Sequence, residues 1–121
     1  MEYVSQGVFL VAAVTNKAVN DGALKEIIRR VVEVAQPERI ILFGSAARGA
    51  MGPNSDVDLL VVKRGKFDQG TLTEDIYQRL YGVGQAVDVV VVTPEQVERY
   101  RNTHWRVIAP ALREGREVYH A

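Results

Sequence analysis

The chain has 121 residues, 47 % of them apolar and 25 % charged, and its fifteen Lys and Arg balance fifteen Asp and Glu. That length suits one domain burying about two thirds of its unfolded surface, and the composition is that of a globular protein, which excludes the disordered class. A zero net charge gives no global field and no direct evidence of nucleic-acid binding, while the absence of cysteine excludes disulfides and thiolate metal sites and is compatible with a reducing cytoplasm.

Residues 1–20 carry only two charges, Glu2 and Lys17, and a short run Val8-Phe9-Leu10-Val11 that fits strand or helix. They read as an N-terminal extension that suits an extra strand, a contact in a homo-oligomer or a loose segment, ahead of a domain over 21–121. Val8 to Val14 is too short to span a bilayer and no basic region precedes it, so no membrane association and a cytoplasmic setting are expected. From Asp21 a helix is predicted, capped by Asn20 or Asp21, with Leu24, Ile27, Ile28, Val31 and Ala35 on one face and Gln36-Pro37 as its stop. Arg39 to Phe43 is the first core strand, Ser45 to Arg48 a short helix, and Gly49 to Ser55 a loop by composition. Asp56 to Lys63 is a second strand, followed by the basic loop Lys63-Arg64-Gly65-Lys66, a solvated run on ordinary grounds. Thr71 to Val83 is predicted helical, with Thr73 or Asp75 near its start and Gly82 and Gly84 at its end. Ala86 to Val92 is nearly all apolar, as in a strand covered on both faces, and only Asp88 interrupts it. Thr93-Pro94-Glu95-Gln96 caps another helix bearing Val97 and Tyr100. Trp105, Ile108, Ala109 and Leu112 pattern a last helix that ends at Gly115, with Pro110 inside it; Trp105 reads as core or partner contact and His104, lacking a carboxylate or cysteine partner, as structural. Val118-Tyr119 is expected to add a short edge strand. The order predicts an α/β (α+β) sandwich on a mixed or antiparallel sheet of about four strands with helices to one side.

The chemistry concentrates in residues 42–62. The first strand stops abruptly at Gly44-Ser45, and ten residues later Asp56 and Asp58 open the second strand. Strand residues i and i+2 share a face with Cα atoms roughly 6.5 to 7 Å apart, so both carboxylates reach one small space. Two like charges there raise each other's pKa, and a hard divalent cation such as Mg²⁺, shared between carboxylates and phosphates, removes the conflict. The glycine turn lets backbone approach a phosphate closely. No G-x-G-x-x-G is present, which argues against a Rossmann unit.

Gly44-Ser45, ten residues, then Asp56-Val57-Asp58, with Arg48-Gly49 between, resembles the signature of the polymerase-β-like nucleotidyltransferases, in particular the single-domain minimal nucleotidyltransferases, over roughly residues 21 to 119. The resemblance implies the nucleotidyltransferase fold, a third carboxylate at Asp88, and two Mg²⁺ ions held by Asp56, Asp58 and Asp88, with Asp88 also drawing the acceptor proton. It implies ATP as the nucleotide, held by Gly44 and Ser45. Arg48 has two readings, as a counter-charge to the triphosphate or as a clamp on Asp56 or Asp58. Proteins of this kind are commonly paired with a small HEPN-family toxin and act as its antitoxin by adenylylating a tyrosine on it. A chain of this size leaves no room for a further substrate-binding domain, so the acceptor is expected to be a separate macromolecule. The alternatives are a non-catalytic module that neutralises its partner by occlusion, and an aminoglycoside-type transferase acting on a small molecule.

Overall fold

The computed structural model describes residues 8–9, 21–48, 56–101 and 108–121. Helix α1 (Asp21–Ala35) forms where its apolar period predicts, and Leu24, Ile27, Ile28, Val31 and Ala35 are all buried. On its outer side Glu26 pairs with Arg29 and Arg30, at 2.7 Å each. The helix ends at a left-handed Gln36 (φ 47°) whose N–H donates to Val32 O at 2.9 Å, after which Pro37 cannot continue it. Asn20, one of the two expected caps, lies outside the described residues.

Strands β1 (Val8–Phe9), β2 (Arg39–Phe43), β3 (Val57–Val62), β4 (Val87–Val92) and β5 (Arg116–His120) form one mixed sheet in the order β1-β5-β2-β3-β4. All pairings are antiparallel except β3 with β4, which run parallel because α3 (Gln69–Leu80) carries the chain back across the sheet between them. Val8–Phe9 therefore supplies the extra strand that was one reading of the N-terminal run; Leu10 and Val11 lie outside the described residues. Two expectations need correction. The final strand is longer than Val118-Tyr119 and is no edge: it pairs with β2 on one side and β1 on the other. Helices also cover both faces. Leu24, Ile27, Leu42, Leu59 and Ile76 join one apolar cluster beneath α1 and α3, while Ile41, Leu60, Val62, Val92, Val97, Ile108 and Ala111 form a second beneath α4 (Pro94–Tyr100) and α5 (Ile108–Glu114). Alternate side chains of β2 and β3 feed opposite clusters, so near-continuous apolar runs signalled two-sided burial of these central strands.

The apolar run of β4 likewise reflects cover on both faces, Val89 and Val91 joining the first cluster and Val92 the second, although β4 is an edge strand. Its outward-facing backbone is sealed by side chains of α3: Val89 N–H donates to the Tyr77 hydroxyl at 2.8 Å, and Gln69 Nε2 donates to Val91 O at 2.8 Å. Helix α3 begins earlier than predicted because Asp68, not Thr73 or Asp75, is its N-cap, accepting from Thr71 N–H at 2.9 Å. Thr93 and Gln96 close both arms of the expected capping box at the start of α4. Helix α5 stops before Gly115 as expected, though the glycine serves close approach: a Cβ there would meet Ile41 Cγ2 at 2.6 Å and Leu42 O at 2.9 Å. His104 and Trp105 lie outside the described residues, as does the loop over 49–55.

Candidate functional site

The site lies where β2 ends and β3 and β4 begin. Antiparallel pairing sets Phe43 opposite Asp58, so the chain turns at Gly44 directly above that carboxylate. Gly44 has φ 75°, and a Cβ on it would overlap Asp58 Oδ2 and stand 3.2 Å from Asp58 Cγ. Only glycine satisfies both the left-handed backbone and the contact. Parallel pairing sets Asp58 beside Asp88, and Asp56, two residues before Asp58, presents its side chain to the same face. That face is the one α4 and α5 cover further along the sheet, since Leu60, Val62 and Val92 continue the same alternation into the second cluster. Past the end of this cover, Asp56 and Asp58 are half-buried and Asp88 is exposed.

Asp56 and Asp88 stand close enough for the charge of one to act on the other. Partial desolvation raises the pKa of Asp88, and the neighbouring Asp56 adds to it. Desolvation likewise raises Asp58, assisted by the negative charges of Asp88 and Asp56. Three acids thus stand in mutual electrostatic reach with nothing cationic between them among the described side chains. Among the described residues no three acids are already gathered as a coordination shell. All donors are hard carboxylate oxygens, the set that suits Mg²⁺, and the residues present fit such an ion.

The structure therefore brings together Gly44, Asp56, Asp58 and Asp88. Ser45 begins the one-turn helix α2 (Ser45–Arg48) directly after Gly44, and Arg48 ends it; the side chains of both lie outside the described set. Sequence reasoning left Arg116 without a role, yet its Nε donates to Ala47 O of α2 at 3.3 Å.

Residues 24–118 match the family described as a nucleotidyltransferase domain. A candidate protein adenylyltransferase of Methanocaldococcus jannaschii is 33 % identical over 82 residues, which cover 68 % of this chain and 78 % of that one. The crystal structure of a candidate nucleotidyltransferase from Sulfolobus solfataricus, 27 % identical, superposes with a TM-score of 0.51 over 64 % of this chain and 70 % of its own. A toxin-antitoxin crystal structure with AMP-PNP superposes with a TM-score of 0.49 at 20 % identity over 85 % of this chain and 75 % of its own. With the profile spanning most of the domain and the relative's length largely matched, this chain belongs to the nucleotidyltransferase domain family.

Proposed function

We propose that the protein is a Mg²⁺-dependent protein adenylyltransferase that moves AMP from ATP onto a hydroxyl of a partner protein. The observation that carries this reading is the convergence of Asp58 and Asp88, in register on adjacent strands, with Asp56 on the same face and the Gly44 turn seated on Asp58. Asp56, Asp58 and Asp88 would hold Mg²⁺, two ions in the full reading, which when bound neutralises the triphosphate and the charge that develops during transfer. The Gly44 and Ser45 backbone, with the Ser45 hydroxyl, receives the β and γ phosphates, and Arg48 supplies a further cation to that side. The acceptor hydroxyl oxygen attacks the α phosphorus, a new P–O bond forms, and the bond to the bridging oxygen of the pyrophosphate breaks. Pyrophosphate leaves with that electron pair. The hydroxyl proton passes to Asp88, whose raised pKa and solvent-facing position on the edge strand suit a base that must meet an acceptor arriving from outside.

Similarity to the candidate protein adenylyltransferase of Methanocaldococcus jannaschii supports protein as the acceptor class. A tyrosine of a HEPN-family toxin is the acceptor that the family resemblance favours, with the chain as its antitoxin, and a cytoplasmic setting provides the ATP. Among the described residues no helix is long and apolar enough to cross a membrane. Incubation of the chain with Mg²⁺, α-labelled ATP and a co-encoded HEPN protein tests the proposal. Label on the partner that disappears with Asp58→Ala supports it; γ-label transfer, or α-label that persists in Asp58→Ala, refutes it.

A further inference from the structure

Helix α2 cannot hold its own shape. It is four residues long, Gly44 O just before it accepts from Ala47 N–H at 3.1 Å, and an isolated turn of helix is unstable because nucleation fixes several dihedrals for one hydrogen bond. Its last carbonyls have no partners within so short a helix. One of them, Ala47 O, accepts from Arg116 Nε, 69 residues further along the chain.

Arg116 reaches that carbonyl because of a defect in the sheet. Strand β5 pairs Tyr119 with Ile40 but Glu117 with Ile41, so one residue, Val118, is skipped. Unbroken alternation would set Glu117 opposite Leu42 and turn Arg116 to the other face. With the irregularity, Arg116 stands opposite Leu42, on the α1 side where Ala46 and Ala47 pack, and Val118 and Tyr119 both enter that same cluster. Bulges commonly re-aim a side chain beside a site in this way. Gly115 completes the device, since the close packing of its backbone against Leu42 O brings the start of β5 hard against the end of β2.

We infer that Arg116 is a positioning residue for the nucleotide: from the sheet face opposite the three acids it fixes α2, and through α2 the Gly44-Ser45 backbone that receives the triphosphate. The inference rests on the functional reading above. Its test needs no acceptor: calorimetric titration of the whole chain with Mg²⁺ and an ATP analogue carrying a methylene between the α and β phosphorus atoms, alongside thermal melts. Loss of one hydrogen bond from a charged donor predicts about tenfold weaker binding in Arg116→Gln. Arg116→Lys, which keeps the charge and loses the Nε donor, falls between that variant and wild type. Arg64→Gln, which removes an exposed cation paired with Glu38 on the loop after β3, binds as wild type does. Wild-type affinity in either folded Arg116 variant overturns the inference, and so does a loss in Arg64→Gln equal to that in Arg116→Gln. If Arg116→Gln does not fold, the Arg116→Lys affinity decides alone. Failure of the wild-type chain itself to bind the Mg²⁺-nucleotide refutes the functional reading instead, and this inference with it.

Discussion

Gly44 shows how one residue ties backbone geometry to chemistry. Its φ of 75° and its contact with the Asp58 carboxylate leave no room for a side chain, so Gly44→Ala must either shift the turn or push Asp58 away. We expect a loss of about 1 to 3 kcal/mol in urea unfolding, and a larger proportional loss of nucleotide binding because both halves of the site move. Asp58 carries the opposite balance. Its pKa is raised above the ordinary 3.8, so the folded state holds the proton more tightly than the unfolded chain. The stabilising contribution is complete below that value and is lost as pH rises through the folded pKa. Metal-free Asp58→Asn should therefore melt above wild type at pH 7, with the gap closing in acid below 3.8. A site that weakens the empty fold and strengthens it when filled is what a stability–activity trade-off looks like at one carboxylate. The Asp56-Val57-Asp58 spacing and the Asp88 interruption were legible because polar residues at strand period in apolar runs carry their own cost. Arg116 was illegible, because its face is set by a one-residue irregularity that no local pattern announces.

At the scale of elements, caps and edges decide where structure starts and stops. Helix α1 was readable to its last residue, since its apolar period and the Gln36-Pro37 stop agree. The start of α3 was not, because Gly70 resembles a breaker and Asp68 lies ahead of it, yet Asp68 captures the Thr71 N–H and the helix forms through the glycine. Glu26 on α1 has its pKa lowered to about 2, chiefly by its hydrogen bond from Arg29 and then that from Arg30. A depressed carboxyl stabilises the fold above its unfolded pKa of 4.5 and ceases to as pH falls through about 2. Glu26→Gln should then be less stable than wild type at pH 6 and indistinguishable from it in strong acid, with the difference shrinking in high salt because these groups are exposed. On β4, the Tyr77 hydroxyl is the partner of Val89 N–H. Tyr77→Phe keeps the ring and removes that partner, for an expected cost of about 1 kcal/mol by denaturant titration and increased association between copies at high concentration through the opened edge.

Across the whole molecule, the sheet divides its work by face and by end. One face packs α1 and α3 and the other α4 and α5, and the face of α4 and α5 gives way to the acids at the end where β3 and β4 begin. Sequence order alone suggested helices on one side, because a helix pattern does not say which face it will cover; the alternation of Ile40 to Leu42 and Leu59 to Val62 into two clusters does, once the pairing is known. In the function proposed above, Asp56, Asp58 and Asp88 act as one cation site. Chemical unfolding of wild type and the three single Asp→Asn variants, with and without Mg²⁺ and the methylene ATP analogue, tests it most directly. At a hundredfold excess over Kd, wild type should gain about 2.7 kcal/mol, and each variant should lose most of that gain. An Asp88→Asn protein stabilised by Mg²⁺-nucleotide as fully as wild type would contradict the claim.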